Sequence, residues 1–476
     1  MLTYSFENIS DMNLYEYIYK CIKEDVLSGK LEAHTKLPSK RMFAKNHGIS
    51  VITVESAYGQ LMAEGYIYSV QKSGYYVADI HNQIDSKKQK SDLVRSLRPD
   101  GDKIKYDFVT SHTLAENFPF SVWAKLMRQE LSENSERLLA TSEPGGVYEL
   151  RQEIVGHLKA FRNLDVKPEQ IVVGAGSEYL YGLLIQLLGR DKVYGLEEPG
   201  YRKTHKVFSS QGASVVTLAL DEEGVRLEGD KGLNSLPADV IVISPSHHFP
   251  TGVVMPVSRR YGVLEWANKK EGRYIIEDDY DSEFRLQGKP IPSLMSIDVS
   301  DRVIYMNTFT RSLASTIRVG YMVLPQSLVQ SFYDKLGFYA CTVPSFEQYT
   351  LAAFIRDGYF ERHINRMRSY YKNVRDRVLE ELEKSRLAPY IEIREEHAGL
   401  HFLMEFDSGA HTGHRKTDEG LKQLAKKEGV RITFLSDYYG EASDAEKNKN
   451  IAVINYSGIH ENDIRYAIAA LERAWL

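Results

Sequence analysis

Cysteine is nearly absent: Cys21 and Cys341 are the only two in 476 residues. They stand far apart and form no C-x-x-C, so neither a disulfide framework nor a cysteine zinc site is indicated. Long apolar runs are also missing. None approaches the ~18 residues that a membrane-crossing helix needs, so no span is expected. The opening stretch, MLTYSFENISDMNLYEY, has no basic n-region and no apolar h-region, so no signal peptide is expected. A cytoplasmic location is the corresponding expectation. Charge of one sign is not in excess either. A net charge of −5 provides no global basic field to hold nucleic acid or a lipid surface. Internal repeats are lacking. What remains is an ordinary composition, 43% hydrophobic and 26% charged, in a chain long enough for two or three domains.

The first eighty residues carry a helical pattern. Leu14, Ile18, Cys21, Ile22, Val26 and Leu27 share one face, and Gly29 ends that helix. Pro38-Ser39 opens a second helix over about 40–46, with Ser39 as N-cap, and Gly48 makes a tight turn. Ser50 caps a third helix over about 51–64, with Val54, Tyr58, Leu61 and Met62 facing inward and Gly65 stopping it. Two short tyrosine-rich strands, 66–68 and 75–77, flank Gln71-Lys72-Ser73-Gly74 and read as a hairpin. Three helices and a hairpin in this order make a winged helix-turn-helix. The run LPSKRMFAKNHGISVITVESAYGQLMAEGYIYSVQKSGYYV resembles the GntR family of bacterial repressors, which assigns residues 1–79 to a DNA-binding domain. The resemblance implies a double-stranded DNA operator, with the third helix in the major groove and the wing along the minor groove. Lys36, Lys40, Arg41, Lys45 and Lys72 are the expected phosphate contacts. Ser50, Ile52 and Thr53 stand where base edges would be met. Charge alone does not argue for DNA, because residues 1–79 hold 8 Lys/Arg against 9 Asp/Glu.

Residues 80–105 are polar, charged and poor in aromatics, which reads as a linker with a short helix at about 93–97. From 106 to 476 short apolar strands alternate with helices, predicting an α/β domain with a mostly parallel sheet. A small C-terminal subdomain is expected over about 385–476. Ligands in such sheets bind at the carboxyl ends of the strands. One strand there runs into Gly174-Ala175-Gly176-Ser177-Glu178, a turn able to hold an anion at a helix N-terminus. Others lead to Glu197-Glu198-Pro199-Gly200-Tyr201, to Ser244-Pro245-Ser246-His247-His248-Phe249-Pro250-Thr251-Gly252, and to Glu277-Asp278-Asp279-Tyr280-Asp281. The paired histidines are not spaced as metal ligands, and no metal is expected. The segment RVIYMNTFTRSLASTIRVGYMVLP adds Thr308, Thr310, Arg311 and Arg318, which suit a phosphate.

Together these motifs resemble a fold-type-I aminotransferase, an enzyme class that uses pyridoxal 5′-phosphate. The fused order resembles the MocR subfamily of GntR regulators, GabR-like proteins closely. The resemblance implies a head-to-tail homodimer that senses a small amino compound through pyridoxal phosphate. It places Gly176, Ser177, Thr308, Thr310 and Arg318 at the cofactor phosphate, Tyr201 on the ring, Asp278 at the ring nitrogen and Tyr280 at the ring hydroxyl.

Two departures stand out. Phe249 replaces the asparagine of the aminotransferase loop, and Arg311 replaces the lysine that bonds the cofactor. A lysine amine, with an ordinary pKa of about 10.4, can lose its proton and attack an aldehyde. An arginine cannot be deprotonated in a protein, and its lone pairs are delocalised. Ser315-Thr316 stand where the family usually has Pro-Gly, and no substrate-carboxylate arginine is evident near 452–456. Lys203 stands where GabR-like proteins can hold an arginine. Three readings follow. One is a regulator holding pyridoxal phosphate, or its adduct with an amine, without a covalent tether. The second is a regulator whose pocket takes another anion or nothing. The third is an active aminotransferase with an accessory DNA-binding domain, which Arg311 disfavours on chemical grounds. No catalytic residue is assigned.

Overall fold

The structure, a computed structural model, describes residues 4, 12–80, 104–111, 113–133, 135–286, 291–397, 399–412, 416–440 and 449–476. The expected helix at 93–97 and most of the linker lie outside the described residues. The chain divides into two compact units, 1–102 and 103–476.

In the smaller unit, α1 (Leu14–Leu27) buries Ile18, Ile22 and Val26. α2 (Lys40–His47) starts where the Ser39 side chain accepts from the Met42 N–H at 3.2 Å. It ends at Gly48, whose φ of 64° is the left-handed value a side chain disfavours. α3 (Val51–Ala63) is capped in the same way, with the Thr53 N–H donating to Ser50 Oγ at 3.1 Å. β1 (Ile67–Val70) and β2 (Gly74–Val77) pair antiparallel as the wing. Phe43, Val54, Tyr58 and Leu61 close the core between the helices. Each is fully buried, so truncating Phe43 to alanine would cost about 3–5 kcal/mol.

The larger unit begins with β3 (Tyr106–Asp107). Its main sheet holds β4 (Ile171–Gly174), β5 (Val193–Glu198), β6 (Ser214–Asp221), β7 (Gly224–Val225), β8 (Val240–Ile243), β9 (Tyr274–Asp278), β10 (Val303–Thr308) and β11 (Gly320–Val323). The strand order is β4-β11-β10-β9-β8-β5-β6-β7. The central run from β10 to β6 is parallel, while β11 and β7 are antiparallel to their neighbours. β8 and β10 are buried almost throughout, which is why they read as unbroken apolar runs rather than alternations. A second sheet, β12 (Ile391–Arg394), β13 (His401–Phe406), β15 (Thr433–Phe434) and β16 (Ile451–Asn455), is antiparallel. β14 (Val430–Arg431) pairs instead with β3. The helix Ile464–Trp475 packs Trp475 against Phe406 and Phe434 over that second sheet. β4, β5, β8, β9 and β10 are all parallel in sense, so their carboxyl ends open on one edge.

Candidate functional site: a cavity at the strand ends

A cavity of about 780 Å³ lies at that edge. Ser177, Tyr201, Asp278, Tyr280, Thr308, Thr310, Arg311 and Arg318 all line it. Gly176 lies just behind. A side chain there would bring its Cβ within 2.7 Å of an Arg318 nitrogen, and its φ is 90°. Glycine is therefore what lets the guanidinium approach the start of the helix Ser177–Leu188, whose first N–H groups have no partner inside the helix. The two threonine hydroxyls are turned inward on their own loop. Thr308 Oγ1 donates to Thr310 Oγ1 at 2.7 Å and also accepts from the Thr310 N–H at 3.1 Å.

The acidic run is mostly scaffold. Glu277 accepts from the N–H groups of Leu294 and Met295 at 2.8 and 3.0 Å. Asp279 pairs with Arg162 and accepts from the Tyr305 hydroxyl, both at 2.7 Å. Asp281 faces His247 Nδ1 at 3.2 Å, and Glu283 accepts from Asn307 at 3.1 Å. Separate partners resolve the repulsion among these carboxylates. Asp278 alone of this group lines the main cavity, with its Oδ2 accepting from the Tyr181 hydroxyl at 2.7 Å. Burial pushes its carboxyl up to about 6, opposed by the Tyr181 hydrogen bond. No group of three or more His, Cys, Asp or Glu suited to a metal occurs among the described residues.

Three features escaped the sequence reading. Glu178, beside Ser177, pairs with Lys203 and lies 3.5 Å from Arg318, so a carboxylate shares the anion-binding turn. Glu197 sits buried in the cavity wall, 3.5 Å from His248 Nε2, and accepts from the Ser244 N–H at 2.9 Å. Burial lifts its carboxyl to about 8 and drops His248 to about 3, so a neutral acid faces a neutral imidazole. Phe249 is the hub of an aromatic wall, with its ring centroid 5.2 Å from both His401 and Tyr438 and 6.1 Å from Tyr201. Spacing along the chain signalled none of these, because each depends on side-chain direction across separate strands.

In the smaller unit Arg41, Lys45 and Lys72 are exposed. Lys36 lies 5.8 Å from the centroid of the Tyr76 ring. Lys40 is committed internally, 2.5 Å from Glu55 of α3 and 5.6 Å from the Tyr75 ring. Ser50 and Thr53 spend their side chains on each other and on the α3 cap. Ile52, 75% exposed, is the most prominent apolar group at the start of α3.

Residues 14–77 match the family model for bacterial regulatory proteins of the gntR family, and residues 110–471 that for aminotransferase class I and II. The chain is 36% identical to the HTH-type transcriptional regulator YdeL of Bacillus subtilis, over 98% of this chain and 97% of that protein. It is 30% identical to the probable rhizopine catabolism regulatory protein MocR of Rhizobium meliloti, over 98% and 94%. The chain belongs to the MocR type of GntR transcription regulators. This MocR-type regulator is also 28% identical to PdxR of Corynebacterium glutamicum, a pyridoxine biosynthesis regulator, over 95% and 94%. Its larger unit has the fold of the multiple substrate aminotransferase of Thermococcus profundus, with a TM-score of 0.68 at 22% identity, covering 83% of this chain and 96% of that one. Its helix-turn-helix makes DNA the partner of a MocR-type regulator. No helix among the described residues is long and apolar enough to cross a membrane.

Proposed function

We propose that this regulator binds a pyridoxal-phosphate-type ligand without a covalent tether, senses a small amino compound through it, and does not turn it over. The observation that carries this reading is Arg311 in the wall of a cavity whose other parts suit the cofactor. Gly176, the helix start at Ser177 and Arg318 would hold its phosphate. Asp278 would accept from a protonated ring nitrogen, Tyr201 would cover the ring, and Tyr280 would meet its hydroxyl. The buried Tyr280 oxygen makes no hydrogen bond of normal geometry with the described residues, which suits such a role. When bound, pyridoxal phosphate supplies an electrophilic carbon and an electron-withdrawing ring.

Arg311 offers charge and donors but no amine to attack that carbon or to carry a proton to and fro. Lys203 and Lys206 also line the cavity. Lys203 is paired with Glu178, which also lies beside Arg318. The regulator would act as a head-to-tail homodimer on a double-stranded operator. A second reading, a pocket that takes another anion or nothing, is favoured in its latter form by the Glu178 carboxylate already paired with the cations at the turn.

An absorbance spectrum with added pyridoxal phosphate, before and after borohydride, tests the proposal. Saturable binding that borohydride does not fix to the protein is expected, with no amino-group exchange between an amino acid and a keto acid. Reduction onto a lysine, or steady exchange, would overturn it. Absence of binding would favour the second reading.

A further inference from the structure

Arg311 is an uncommitted cation in a semi-enclosed place. Its guanidinium lies 5.6 Å from the centroid of the Tyr280 ring. It makes no hydrogen bond or ion pair with the described residues. It lines both the main cavity and a small adjoining pocket formed by Phe249, Tyr280, Asp281, Leu400, His401 and Asn455. The nearby carboxylates do not neutralise it by contact. Asp281 is turned to His247 at 3.2 Å, and Asp278 to Tyr181 at 2.7 Å. Aromatic rings make up much of the surrounding wall, so the charge is partly removed from water. A partly desolvated guanidinium with free donors is costly unless an anion pairs with it, and a carboxylate matches its fork bidentately. Of the cations that line the cavity, Arg318 and Lys203 share Glu178 at the Gly176 turn, while Arg311 stands beside Tyr280.

We infer that Arg311 is an anion-reading residue, and that the ligand this cavity prefers is a pyridine phosphate bearing a carboxylate where pyridoxal phosphate bears its aldehyde. This rests on the proposed non-covalent binding of a pyridoxal-phosphate-type ligand and not on the sensing of an amine through it, because a carboxylate forms no imine. In lysine-bearing proteins of this fold the side chain at this position bonds the aldehyde carbon. Arginine there meets the same substituent as a charge rather than as a nucleophile. A carboxylate at that carbon is attracted, an aldehyde is held weakly, and an ammonium is repelled.

The test is calorimetric titration of the full chain with three probes that differ only at that carbon: pyridoxal phosphate, its 4-carboxylate analogue and pyridoxamine phosphate. Inorganic phosphate serves as a fourth probe. The carboxylate analogue is expected to bind at least tenfold tighter than pyridoxal phosphate, with pyridoxamine phosphate the weakest. Arg311→Met should flatten that order, and Arg311→Lys should make pyridoxal phosphate the tightest and fixable by borohydride. Arg318→Gln should weaken all three organic probes alike while keeping the order. Circular dichroism of each variant establishes that it folds. If the three bind but the carboxylate analogue is no tighter than pyridoxal phosphate, the anion-reading role is overturned while non-covalent binding stands. A preference that survives Arg311→Met has the same consequence. If none of the four probes binds, both readings fall together.

Discussion

Glu178 sets a negative charge against Arg318 and Lys203 at the turn that would cradle a phosphate. All three side chains are more than a third exposed, so water screens the pair heavily. Opposing charges a few ångströms apart in such surroundings are worth about 1 kcal/mol, or roughly fivefold in affinity. Glu178→Gln is therefore expected to tighten pyridoxal phosphate about fivefold at low salt and by less at high salt, as titration at two ionic strengths would read. An unchanged affinity would mean that Glu178 turns away when the anion arrives. Glu197 makes a different kind of prediction. Its ordinary carboxyl value of 4.5 is raised by burial to about 8 in the folded chain. Below pH 4.5 both folded and unfolded chains hold the proton, and the group leaves stability unchanged. Between 4.5 and 8 the unfolded chain gives up the proton first, so stability falls as pH rises, by up to about 1.4 kcal/mol per unit. Glu197→Gln keeps an acceptor for the Ser244 N–H and removes that slope. Urea unfolding at pH 5 and pH 8 should show the variant gaining on the parent at the higher pH. Parallel losses in the two proteins would argue against a buried neutral Glu197.

At the scale of elements, the sequence was most legible where local chemistry fixes an end. Ser39 and Ser50 start their helices because a hydroxyl can accept a first-turn N–H, and both do so. Gly48 and Gly65 stop theirs at φ values of 64° and 79°. The strands leading to Gly174, Asp278 and Thr308 were legible as apolar runs ending in polar groups, and the cavity gathers the residues that follow them. Cross-element pairing was not legible. Lys40 reads as one more phosphate contact in a row of cations, yet the start of α3 brings Glu55 to it. The two neighbours on α2 should therefore behave differently. Arg41→Ala is expected to weaken binding to all DNA sequences alike and to lower the salt slope by about 1, the signature of one lost phosphate contact. Lys40→Ala should do less, because Glu55 already engages its charge. Anisotropy titrations with operator and scrambled DNA across a salt series would separate them. An equal loss would show that DNA takes Lys40 from Glu55.

At the scale of the whole molecule, each of the two units has an apolar core of its own. Ile18, Phe43, Tyr58 and Leu61 pack together in the smaller unit, and the clusters around the main sheet gather residues of the larger one. Units that each bury a core of their own need not unfold together. Differential scanning calorimetry of the full chain is therefore expected to resolve two transitions. A ligand shifts only the transition of the unit that it binds, by RT ln(1 + [L]/Kd), or about 2.7 kcal/mol at a hundredfold excess over Kd. Pyridoxal phosphate should raise the transition of the larger unit, and operator DNA that of the smaller. If pyridoxal phosphate raised both equally, unfolding of the two units would be coupled, and the occupied cavity would then bear directly on the stability of the DNA-binding unit. A shift confined to one transition requires the ligand's message to pass by some route other than that unit's stability.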